Sequence, residues 1–196
     1  MQEQEYIAKI TALMTDGQLA AAKALIEDAF NVFPASGFIC FLKAAIYAQE
    51  QHYDLAKKAY SESISLSPDL YIARFQLGLL QATLEEYDDA VQSLHPLLNT
   101  EHEYLPLFAN ALICIFQGDN SNAIISIEEG IQRNTDNPNL NKDMREMLDR
   151  INGASAEQQA NADTISDDSA HADEINDGAT AEQDKSHLLD IYDVKH

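Results

Sequence analysis

The stretch Ala73-Arg74-Phe75-Gln76-Leu77-Gly78-Leu79, followed by Tyr87-Asp88-Asp89-Ala90, decides how the rest of the chain is read. A small residue, Gly78, sits among apolar residues at helical spacing. The charged pairs Glu85-Glu86 and Asp88-Asp89 mark a solvated turn at the start of the next helix, where they also suit its positive end. A second small residue, Ala90, then opens a second apolar face. Shifting this block by 34 residues brings the same pattern into register. With Glu3, Gly37 and Tyr71 aligned as starting points, Ala22, Ala56 and Ala90 coincide, as do Ile26, Tyr60 and Leu94, and Pro34 and Pro68. A fourth copy fits from Tyr104, one residue early, with Ala123 and Ile127 in the same columns. Repeats of this length are stacked helical hairpins, a scaffold that usually binds peptides and rarely carries chemistry.

The first copy shows the hairpin most simply. Between Tyr6 and Met14 the large apolar residues Tyr6, Ile7, Ile10, Leu13 and Met14 recur at three- and four-residue spacing, the signature of one buried helix face. Asp16-Gly17 breaks the run, Leu19 to Phe30 forms the second helix, and Pro34 stops it, because proline cannot donate a backbone hydrogen bond and restrains the residue before it.

The columns resemble those of the tetratricopeptide repeat (TPR) family. That family places small residues where its helices cross, matched here by Ala44, Gly78 and Ala111 on the first helix and Ala22, Ala56, Ala90 and Ala123 on the second. It places a large residue one turn later, matched by Ile26, Tyr60, Leu94 and Ile127, and a proline after the second helix, matched by Pro34 and Pro68. The resemblance implies an all-α solenoid of about four helix-turn-helix repeats plus a C-terminal capping helix, followed by a disordered acidic tail. The expected boundaries are a repeat domain over 1–152, with repeats at about 3–36, 37–70, 71–103 and 104–137 and a cap at about 139–151 beginning after Pro138. A disordered acidic linker over 153–185 and a short apolar docking segment over 186–196 follow. Three departures stand out. Tyr6, Cys40, Arg74 and Leu107 replace the usual early tryptophan, Pro96 falls inside a second helix and should end it near His95, and Thr135 stands where the fourth closing proline belongs.

In this family the first helix of each repeat builds the inner wall. The resemblance assigns that wall positions two, five, nine and twelve: Gln4, Ile7, Thr11 and Met14; Phe38, Phe41, Ala45 and Ala48; Ile72, Phe75, Leu79 and Ala82; Leu105, Phe108, Leu112 and Ile115. The expected peptide-binding groove is Phe38, Phe41, Ile72, Phe75, Leu79, Phe108, Leu112 and Ile115, with Phe41, Phe75 and Phe108 as an aromatic ladder. Family members that clamp a C-terminal carboxylate use lysine, arginine and asparagine at such positions, so an apolar peptide is the implied ligand here. The same residues are equally read as packing between successive repeats, or as a self-association surface.

The run from Ala73 to Leu79 with Tyr87 to Ala90 is also similar to the middle repeat of TPR chaperones that serve type III secretion translocators. The long acidic tail and the fourth repeat depart from that group. A chaperone of that type and a structural subunit of a larger assembly are the alternatives to a general adaptor or chaperone.

The composition changes near Asn152-Gly153. From there to about Lys185 only Ile165 and Ile175 are large and apolar, too little to offset the entropy of ordering. Eleven acidic and two basic side chains lie from Gly153 onward, so nine of the 21 net negative charges are there. Leu188, Leu189, Ile191, Tyr192 and Val194 then form a compact apolar cluster, with Ser186 placed to cap a helical turn. It reads as a docking element for another protein or for the groove of its own chain.

The charge of −21 opposes binding to nucleic acid or an anionic membrane. The longest apolar run, Leu105 to Phe116, is about 12 residues, against roughly 20 needed to span a bilayer. Cys40 and Cys114 lie within apolar helices and read as free thiols. With an acidic N-terminus lacking the pattern of a signal peptide, these features point to a cytoplasmic protein. No phosphate loop, metal-ligand spacing or nucleophile-base pattern occurs among the six histidines and two cysteines. The expectation is a non-enzymatic protein with no cofactor and no metal.

Overall fold

A computed structural model describes residues 1–165, with side chains through Gly153. The residues from 166 onward, including the expected docking cluster Leu188–Val194, lie outside the described residues. Among the described residues all regular structure is helical: α1 (Glu3–Thr15), α2 (Leu19–Val32), α3 (Gly37–Gln49), α4 (Tyr53–Leu66), α5 (Tyr71–Thr83), α6 (Tyr87–Leu94), a 3₁₀ turn (His95–Asn99), α7 (Leu105–Phe116), α8 (Asn120–Arg133) and α9 (Pro138–Ile165). The helices fall into two compact units that divide after Thr100.

In the first unit the hairpins α1–α2, α3–α4 and α5–α6 stack in order, α2 against α3 and α4 against α5. Ala22, Ala44, Ala56, Ala73 and Ala90 are wholly buried where the helices approach. Gly78 is needed for the closest approach, since a Cβ there would lie 2.6 Å from Cγ of buried Leu94. One cluster, from Ile10 through Ile26 to Ile46, joins the first two hairpins, and a second, centred on Tyr60 and Leu80, joins the next two. Lysines on the second helices reach across to the following repeat. Lys23 pairs with Glu50 at 2.7 Å and Lys57 with Glu86 at 2.6 Å, and the Glu86 hydrogen bond raises the Lys57 pKa.

One turn geometry recurs at the fifteenth position of every repeat. Gly17, Gln51, Glu85 and Gly118 all have positive φ, between 60° and 76°. Each donates to the carbonyl three residues back, and the next residue donates to the carbonyl five back: Gln18 to Leu13, His52 to Tyr47, Glu86 to Gln81 and Asp119 to Cys114, at 2.8–2.9 Å. This double bond pattern satisfies the last carbonyls of one helix and places the residue that starts the next.

Pro96 acts as its chemistry requires. Helix α6 stops at Leu94 after eight residues, whereas α2, α4 and α8 run to 14. The chain continues through the 3₁₀ turn, in which Leu97 is buried.

In the second unit α7 packs on α8 and α8 on α9. The closing proline missing at Thr135 is replaced by an asparagine clasp. The side-chain amide of Asn134 donates to the Asn137 carbonyl and to Asn141 Oδ1, both at 2.9 Å, and the Asn141 amide donates back to the Asn134 carbonyl at 2.8 Å. Asn137 Oδ1 accepts from the Leu140 N–H and so caps α9, with Pro138 at the first helical position. Leu140, Met144, Met147 and Ile151 form the buried stripe of α9. The cap expected to end at about Ile151 instead continues as helix to Ile165, so the expected boundary at 152/153 falls inside α9. Apolar periodicity ends at Ile151, but the alanines and glutamines beyond it, with Glu157, favour continued helix.

Candidate functional site

The inner-wall positions can be followed helix by helix. In the first unit, α3 carries Phe38 and Phe41, both partly buried. Their rings meet edge to face with centroids 5.5 Å apart, and Phe41 lies 6.0 Å from the ring of Tyr60. Phe41 packs against both core clusters of the unit, whereas Phe38 packs against the first alone. Ile72 on α5 is partly buried. Phe75 and Leu79 are fully buried at 0 % exposure, which corrects the expectation that they line an open wall. The reason is that α5 packs against α4 on one side and α6 on the other, which leaves little of its apolar surface open. Ala73, Phe75, Leu77, Leu79, Leu80 and Ala82 are all buried, while Arg74, Gln76 and Gln81 keep some exposure.

The second unit repeats the contrast. Phe108 and Leu112 on α7 are buried, at 0 % and 1 %, while Ile115 keeps some exposure. The Phe108 ring occupies the space beside Gly130 of α8, where an added Cβ would lie 2.4 Å from its Cε1, and it packs 5.7 Å from the ring of Tyr104. The aromatic ladder is therefore not uniform. Phe41 keeps partial exposure, and the other two members are interior residues.

Of the eight expected groove residues, those that keep accessible apolar surface are Phe38, Phe41 and Ile72 in one unit and Ile115 in the other; Ile7 and Met14 on the inner wall of α1 are also partly exposed. None of the inner-wall positions carries a charge. Tyr60, wholly buried, supports Phe41 from below; its place in the large-residue column signalled burial but not that contact.

Burial pushes the Cys40 thiol up to about 11 and raises Cys114 as well, which removes the reactive thiolate at neutral pH. Both cysteines are free. Among the described residues no group of three or more histidine, cysteine, aspartate or glutamate side chains is arranged to hold a metal ion, and no helix is long and apolar enough to cross a membrane.

Helical hairpins joined by recurrent left-handed turns, with small residues at the crossings, define an α-helical repeat protein. Three comparisons relate it to known repeat proteins. The family profile described as Tetratricopeptide repeat matches residues 39–70, the α3–α4 hairpin. Neutrophil cytosol factor 2 from Bos taurus and from Homo sapiens are each 32 % identical over 92 residues, 45 % of this chain and 18 % of theirs. The chain thus spans less than a fifth of the length of these relatives. A solved structure described as a functional characterization of Pseudomonas aeruginosa PilF is similar with a TM-score of 0.61, over 80 % of this chain and 72 % of that one, at 16 % identity; that likeness concerns the fold. These findings support reading the α3–α4 hairpin as a tetratricopeptide repeat within a stack of similar hairpins, and repeats of that kind indicate a protein–protein interaction module.

Proposed function

We propose that this chain is a non-enzymatic adaptor or chaperone that binds an apolar segment of a partner protein along α3 and α5. The observation that carries the reading is the partly exposed Phe38–Phe41 pair with Ile72, on a wall without a charged side chain. An extended or helical peptide would seat its apolar side chains against these rings. Desolvated aromatic anchors typically carry on the order of 2 kcal/mol or more each in such interfaces. The missing basic residues argue against a carboxylate clamp, and two buried free thiols suit a reducing compartment such as the cytoplasm.

Phe38 and Ile72 are the residues to alter, because Phe41 also ties two core clusters together. A Phe38→Ala/Ile72→Ala variant should keep its circular dichroism spectrum and lose at least about tenfold in affinity for captured partners, or roughly 1.4 kcal/mol. Equal capture by the folded variant and the parent chain would refute the reading.

A further inference from the structure

The apolar wall and the C-terminal sequence have complementary chemistry. Leu188, Ile191 and Tyr192 are spaced at i, i+3 and i+4, so one helical turn would put them on a single face. Asp190 and Asp193 would then fall on the opposite face, toward water. This is the pattern of a short amphipathic helix that lies in an apolar groove. The wall on α3 and α5 offers apolar surface at Phe38, Phe41 and Ile72 and no charge. Apolar residues are scarce between Ile165 and Leu188, where Ile175 is the one large member, so the cluster is the segment of the tail that can gain from leaving water.

We propose that Leu188–Val194 docks on the α3–α5 wall of its own chain and competes there with a partner's apolar segment. The inference rests on the groove reading above and adds its regulation. Residues 166–187 form the tether from the end of α9. A coil of that length spans roughly 25 Å on average and reaches about 75 Å when extended. The wall itself is about 20 Å long, the length of a 13-residue helix. A flexible tether that reaches the wall presents its end at an effective concentration on the order of millimolar. An external segment at micromolar concentration, including the tail of a second copy, must therefore bind far more tightly to displace it.

The test uses a fluorescently labelled peptide of residues 186–196, read by anisotropy against three proteins: the full chain, a chain ending at residue 185, and a full chain with Leu188→Asp/Ile191→Asp/Tyr192→Asp. All three keep every described residue, and circular dichroism checks that they fold. The inference expects the shortened chain and the triple variant to bind the peptide at least about tenfold more tightly than the full chain. It also expects Phe38→Ala/Ile72→Ala in the shortened chain to abolish binding. Equal affinity for the full and shortened chains, or no binding to the shortened chain, overturns it. A dimer of the full chain that dissociates when residues 186–196 are removed overturns it in favour of exchange between copies. A leucine- and alanine-rich amphipathic peptide of unrelated sequence separates the two readings. If the shortened chain binds that probe through Phe38 but ignores residues 186–196, the groove stands and the self-docking falls. If it binds neither, both fall.

Discussion

Gly130 shows how little room the second unit leaves between the two helices of its hairpin. The Phe108 ring is wholly buried and fills the space a Cβ would take. Alanine would gain up to about 1 kcal/mol in helix propensity, but overpacking a full core typically costs about 1–3 kcal/mol. The ring is hemmed in and cannot swing away, so the second effect should win. Gly130→Ala should lower the urea midpoint of unfolding; an unchanged or raised midpoint would show that the ring can shift. His102 gives a pH signal of defined sign. Burial lowers its pKa, against the opposing pull of Glu103 and Asp136, and its Nδ1 accepts the Leu105 N–H at 3.4 Å. The unfolded chain then binds the proton more readily than the folded one. Stability is full above the ordinary histidine pKa and falls as the pH drops below about 6.5. His102→Gln should flatten that decline between about pH 7 and 5 in denaturant titrations. A decline of the same slope in both proteins would assign the effect elsewhere.

Among the elements, the recurrent turn is the most informative. Two of its four left-handed positions are filled by Gln51 and Glu85, which bear a Cβ that this conformation disfavours by about 1–2 kcal/mol. Replacement by glycine relieves the strain but loosens the unfolded chain, for a net gain of about 0.5–1 kcal/mol. The double variant Gln51→Gly/Glu85→Gly should therefore melt a few degrees higher in calorimetry; a lower melting temperature would mean that these side chains stabilise the turn by contacts of their own. The turns also show where sequence reading reached its limit. Asp16-Gly17 is a legible break and the charged pair Glu85-Glu86 marks a turn, whereas Gln51 marks none, and neither glutamine nor glutamate signals a left-handed backbone. Helix positions and crossings were legible because small and bulky residues recur with the repeat, and so was the end of α6, because Pro96 cannot donate. The end of α9 was not, because helix past Ile151 rests on propensity without an apolar stripe. At the candidate site the columns located Phe41, Phe75 and Phe108 on equivalent turns. They could not tell that two are interior, since that depends on what packs around α5 and against Gly130.

For the whole molecule, charge and binding are separate matters. The chain carries −21, yet the wall proposed to bind a ligand carries no charge. Apolar burial is not screened by salt, whereas exposed ion pairs lose much of their strength beyond about 8 Å at physiological ionic strength. Raising salt from about 50 to 500 mM should change the affinity for an apolar peptide by less than about twofold once the peptide itself is uncharged. A tenfold loss would point to charged residues outside α3 and α5 as the binding surface.

The turn shared by all four hairpins has a further consequence for how such a chain can lengthen. Each hairpin closes on itself with the same pair of backbone bonds, whatever side chain fills the left-handed position. A duplicated 34-residue cassette inserted after Leu70 would bring its own turn, its own crossing alanines and the lysine that reaches the next repeat. The new junction would set α4 against a second α3, a pairing of the same kind as the α2–α3 and α4–α5 junctions already present. Growth by duplication is thus open to this architecture between α4 and α5. After α6 the chain leaves the repeat pattern early, because Pro96 ends that helix after eight residues.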